Sequence, residues 1–146
     1  MSPNSVSEPR HSTGVNAALL ILRIASGIAF LYHGSAILFG AFGGPGPQGF
    51  SNFTHMPLVA AYLVGLAQIA GGLAILTGVL FRIGALCIII VMLGAIFMVH
   101  LPHGFDVGKG GFEYALTQLL IAAAFLFTGP GAYSLNPSLP ESMRKL

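Results

Sequence analysis

Apolar residues dominate four stretches of the chain, at about 15–39, 57–80, 83–100 and 112–128, separated by polar or Gly/Pro-rich sequence. Each stretch is near the roughly 20 residues a helix needs to cross a bilayer at about 1.5 Å per residue. In hydrocarbon a helix satisfies its own backbone N–H and C=O groups, which an open strand cannot do. The pattern therefore predicts an all-α fold, a bundle of four transmembrane helices. Residues 1–14 are polar and read as a disordered tail. The apolar run after them exceeds the ~7–15 residues of a signal-peptide core, so it reads as a first span. Only Phe81 and Arg82 separate the second and third spans, which makes those helices antiparallel neighbours. Gly129-Pro130 stops the fourth span, and residues 129–146 form a second polar tail. The first long loop, GAFGGPGPQGFSNFTHM, is uncharged. Its second half, Gln48 to Met56, reads either as a short interfacial helix with Phe50 and Phe53 toward lipid or as a flexible loop.

Composition supports lipid as the solvent. Hydrophobic residues make up 55% of the chain and charged residues only 7%, and mean hydropathy is +0.84. A soluble domain carries about 25% charged residues. The net charge of +2 raises nucleic acid as a partner, but the basic residues form no patch, which excludes it. They flank the spans instead. Arg10, Arg82, Arg144 and Lys145 fall on one side against Lys109 alone on the other, which predicts cytoplasmic N- and C-termini and outward-facing long loops. The single cysteine, Cys87, excludes a disulfide framework, a CxxC redox pair and a c-type haem site. It reads as a small hydrophobe in lipid or core.

The polar residues inside the spans carry the candidate chemistry. Arg23 shares a helical face with Gly27, Phe30 and Gly34. It reads either as an arginine snorkelling to headgroups or as a cation with an anionic partner inside the bundle. His33 lies about 15 Å further along the same helix, in the outer half of the membrane. Gln68 sits at mid-depth with Ala61, Gly65 and Gly72 near its face, a pattern that suits an amide bonding across a close helix contact. His100 ends the third span, and Pro102 prevents a clean helix beyond Leu101, so His100 and His103 are not a helical metal pair. Glu113 opens the fourth span, where the helix dipole favours a carboxylate. Gln118 lies about 140° round from Glu113 and points to a different neighbour. His33, His100, His103 and Glu113 thus share one depth, compatible with a metal, a haem or a quinone headgroup. Tight ligand pairs such as HExxH are absent, so no metal site is expected.

The segments LRIASGIAFLYHGSAILFG, GGPGPQGF, LAQIAGGLAILTG, VMLGAIFMVHLPHGF and GGFEYAL together resemble the DoxX family of small bacterial four-helix membrane proteins, over residues 17–135. The family takes its name from a subunit of a quinone-linked thiosulfate-oxidising complex, and relatives are associated with redox assemblies that handle thiols and oxidative stress. The resemblance implies a subunit in the bacterial cytoplasmic (inner) membrane, surrounded by the lipid bilayer. It would work with other subunits of a redox complex or as a homo-oligomer, and not as a catalyst alone. The matching positions that imply cofactor binding, with quinone as the cofactor, are Arg23, His33, Gln68, His100, Glu113 and Tyr114. Relatives often carry Glu where this chain has Gln68, which removes a carboxylate from any proton path at that depth. Two alternatives stand beside this one. The chain reads also as a non-catalytic scaffold or assembly factor, or, with four unbroken spans, less readily as a small-molecule permease.

Overall fold

The computed structural model describes residues 11–138 together with Pro140 and Ser142. Arg10, Arg144 and Lys145, and most of the N-terminal tail, lie outside the described residues. The described chain is all-helical. Helix α1 spans Thr13–Phe39, α2 Gly46–Thr54, α3 Leu58–Thr77, α4 Phe81–Ala95 and α5 Glu113–Thr128. Helix α4 continues through a π turn, Ile96–His100, and a 3-10 turn, Leu101–His103. Three helices are long and apolar enough to cross a membrane: α1, α3, and α4 with its two terminal turns. The fourth, α5, is apolar but has only 16 residues, roughly 24 Å of helix.

Capping explains several boundaries. Ser12 Oγ accepts from Val15 N at 3.4 Å at the start of α1. Gly40, at φ 66°, ends it and donates its N–H to Ser35 O. Helix α3 stops three residues earlier than its apolar run, at Gly78 (φ 82°), whose N–H reaches Ala74 O at 2.8 Å. The turn into α4 is therefore Gly78 to Leu80, and Phe81 is already a core residue, 2% exposed. Hydropathy alone could not show this, because Val79 and Leu80 are as apolar as the helix before them.

Helix α1 packs on α3, α3 on α4, and α4 on α5. Small residues set the first two contacts. A Cβ at Gly72 would meet Gly27 O at 3.1 Å, and one at Gly34 would meet Gly65 O at 3.0 Å. These approaches, on the faces of Arg23 and Gln68, follow the periodicity of the sequence. Between α3 and α4 a Cβ at Gly84 would stand 2.5 Å from Ala74 Cβ. Larger side chains fill the α4–α5 contact, where the Phe81 and Phe125 rings lie 5.2 Å apart. Ser26 Oγ donates to Gln118 Oε1 at 2.9 Å and ties α5 back to α1. The different neighbour of Gln118 is therefore α1. Outside, Ile21, Leu63, Ile90 and Phe127 are all exposed, the surface expected of a protein solvated by lipid.

The segment after α5 is not a free tail. Asn16 Oδ1 accepts from Ala132 N at 2.9 Å, and Leu135 N donates to Thr77 O at 2.9 Å, so residues 132–135 fold back over the ends of α1 and α3.

Candidate functional site

The candidate polar residues divide between one end of the bundle, where Arg23 lies, and a cavity that runs from mid-depth to the other end. At one end stands Arg23, 1% exposed. Its Nε donates to Ile75 O at 2.8 Å, and its Nη2 to Leu76 O at 2.7 Å. Its Nη1 donates to Pro130 O at 3.0 Å and to Tyr133 O at 2.7 Å. The guanidinium thus caps the last carbonyls of α3 and fastens the segment after α5. It sits 5.9 Å from the Phe81 ring centroid. It neither snorkels to headgroups nor faces a carboxylate, since backbone carbonyls take its donors.

Toward the other end the helices border a cavity of about 790 Å³. Its walls come from all five helices and the loop before α5, and are mostly apolar, including Phe30, Phe50, Met56 and Met92. Four polar side chains interrupt them: His33, Gln68, His100 and Tyr114. No Asp, Glu, Lys or Arg lines it. The stretch Gln48 to Met56 is mostly helical, as α2, and not a flexible loop, and Phe50 is half-buried. Phe53 is 70% exposed while also lining the cavity, as Phe50 does.

His33 projects from α1, with its ring 5.6 Å from that of Tyr114 on α5 and 5.3 Å from Tyr32 in an edge-on contact. Gln68 on α3 is 6% exposed, and its Oε1 is buried without a hydrogen-bond partner. An orphaned buried amide oxygen costs about 1–3 kcal/mol unless a ligand or water answers it. His100 closes the π turn of α4, a local widening that adds a residue to the turn and re-aims the side chains at its end. Its Nδ1 lies 2.7 Å from Gly110 O. A carbonyl only accepts, so Nδ1 carries the proton, and in the neutral ring Nε2 is left as a free acceptor.

Glu113 does not line the cavity. Its Oε2 accepts from Val107 N at 3.2 Å and so holds the 3-10 turn Val107–Lys109. That turn ends at Gly110 (φ 82°), whose carbonyl fixes His100. Asp106 Oδ1 accepts from Gly108 N at 2.9 Å, and Glu113 N donates to Phe105 O at 3.0 Å, which stiffens the same loop. Glu113 therefore reaches His100 through the loop backbone. His103 is exposed outside the cavity lining, its Nδ1 3.1 Å from Val99 O. Among the described residues, no three of His, Cys, Asp and Glu gather in one place.

The structure thus brings together His33, Gln68, His100 and Tyr114, sets Glu113 one step behind them, and separates Arg23 entirely. Sequence reasoning missed the Gly110 carbonyl and the aromatic and methionine lining. A carbonyl has no sequence signature, and the apolar lining looks like any membrane helix.

The DoxX family profile matches residues 18–101, more than half of the chain. The chain belongs to the DoxX family. A protein of Bacillus subtilis (strain 168) named "Putative oxidoreductase CatD" is 30% identical over 118 residues, covering 81% of this chain and 84% of that protein. No solved structure matches. The DoxX match includes Arg23, His33, Gln68 and His100 but ends before the loop and α5, which supply Gly110, Glu113 and Tyr114.

Proposed function

We propose that this DoxX protein is an integral membrane subunit of a quinone-linked oxidoreductase, in a complex that handles thiols or oxidative stress, and that the cavity holds the quinone ring. The observation that carries this reading is the cavity itself: apolar, uncharged, about 790 Å³, with two imidazoles, an amide and a phenol in its wall. It suits a neutral ring bearing oxygen atoms, and an anion would find no countercharge there. The residues fit the reduced form of such a group, since the unpartnered Gln68 Oε1 and the free His100 Nε2 both accept and a quinol hydroxyl donates. His33, Gln68, His100 and Tyr114 would hold it. A bound quinone supplies two-electron, two-proton exchange with a partner. His100 Nε2 accepts a proton from a ring hydroxyl or, once protonated, returns it, and the Gly110 carbonyl keeps the imidazole in position. The name of the B. subtilis relative agrees with redox chemistry and goes no further.

A scaffold role is favoured by one observation, the four bonds of Arg23 to backbone carbonyls and the Ser26–Gln118 bond, all within the chain. Native mass spectrometry of the protein extracted with its own lipids separates the two. The redox reading expects a bound mass equal to a quinone together with partner subunits. Partners without any such mass would leave the scaffold.

In this account α5 is a fourth span, despite its 16 residues, and both termini lie in the cytoplasm of a bacterium whose inner membrane holds the protein. Exposed Arg82, in the first turn of α4, then faces inward and the loop bearing Lys109 and Asp106 outward. A C-terminal alkaline phosphatase fusion should be inactive, and an active one would reverse the orientation.

A further inference from the structure

The cavity is open on the side that faces hydrocarbon. Leu63, Ile90 and Met98 line it and yet are 61%, 68% and 63% exposed, so one wall of the cavity is also the outer surface of the bundle. Leu63 and Ala67 sit one turn apart on α3, and Ile90, Gly94 and Met98 succeed one another down α4. Gly94 is the gap in its row, because a Cβ added there would meet nothing within 4 Å. Deeper between the same two helices there is no such room. A Cβ at Gly71 would come 2.8 Å from Ile88 Cδ1, and one at Gly84 would come 2.5 Å from Ala74 Cβ. Helices α3 and α4 are therefore tight at Gly71 and Gly84 and parted at Ala67 and Gly94. The parting is walled by apolar side chains, with His33, Gln68, His100 and Tyr114 contributing to other parts of the same cavity.

We propose that this slot holds a hydrocarbon tail, and that the cavity takes its ligand sideways from the bilayer: an amphiphile with its ring inside and its chain between α3 and α4. A single ring fills only part of 790 Å³, while the slot adds an apolar channel continuous with lipid. A tail arriving from hydrocarbon is held there by van der Waals contact with the slot walls, and not by transfer out of water. The inference rests on the cavity being the ring site and adds the class of ligand and its route.

Binding of decylubiquinone and of ubiquinone-0, the same ring without a tail, to purified protein in one detergent tests it. Comparing variant with wild type cancels partition into micelles. Gly94→Leu fills the slot where space is free and puts a side chain where the tail would lie, so it should weaken decylubiquinone roughly tenfold. Ubiquinone-0 should stay within about twofold of wild type. Gly94→Ala should leave both near wild type. Ala67→Leu, on the opposite wall, should repeat the selective loss and serves if Gly94→Leu does not fold. Equal weakening of both quinones, or of neither, would overturn the slot while leaving the ring site. If wild-type protein binds neither quinone, the ring site and the slot fall together.

Discussion

The two ends of this bundle treat buried polar groups in opposite ways. At the Arg23 end a fully buried cation meets four backbone carbonyls, from α3 and from the segment after α5. At the His100 end an amide oxygen is left without a partner, and an imidazole is held by one nitrogen while the other stays available. Intramembrane ionisable residues are costly and are commonly taken as functional sites. The comparison shows that depth and charge are poor guides on their own, and that the completeness of the hydrogen bonding discriminates better. Arg23 is the most buried charge in the described chain and serves structure. His100 is only half-buried and stands at the cavity.

The largest expected effect tests the closed end. Arg23→Met keeps much of the side-chain volume but strands the carbonyls of Ile75, Leu76, Pro130 and Tyr133. It should cost about 3–5 kcal/mol of stability, read as a drop in melting temperature in detergent. Where it still folds, its quinone content per folded molecule should equal that of wild type. Normal stability with lost quinone would invert the comparison and make Arg23 a ligand residue.

Sequence periodicity carried the packing a long way. The face of Arg23, Gly27, Phe30 and Gly34 is buried against α3, and Gln68 lies with Ala61, Gly65 and Gly72 on the buried face of α3. Both result from the helical repeat and from the need for small residues where backbones approach. The partners of those residues were not legible. Arg23 bonds to carbonyls, which every residue possesses, and two of the four come from a segment that composition marks only as polar. Glu113 at a helix start was legible as a carboxylate at the right depth, but its bond to Val107 N depends on the fold of the loop between them. His33 and His100 were visible as polar residues at one level, and Tyr114 only through the family resemblance, whereas the cavity they line is a property of helix separation. Gly94 shows this well: among the 20 glycines of the chain, only the structure distinguishes one that opens a slot from those that close a contact.

The smaller effect tests the open end, and it bears directly on the central claim that the His100 cavity is a ligand site positioned by its loop. Quinone retained by purified protein should be measured for wild type, His100→Ala, Glu113→Ala and the double variant, together with each melting temperature. His100 and Glu113 act through one chain of contacts, from carboxylate to turn to Gly110 carbonyl to imidazole. Each single variant should therefore lower retention roughly tenfold, the double should be little worse than either, and melting should shift by about 1 kcal/mol or less. Additive losses, or full quinone retention with normal partner binding in every variant, would contradict the account.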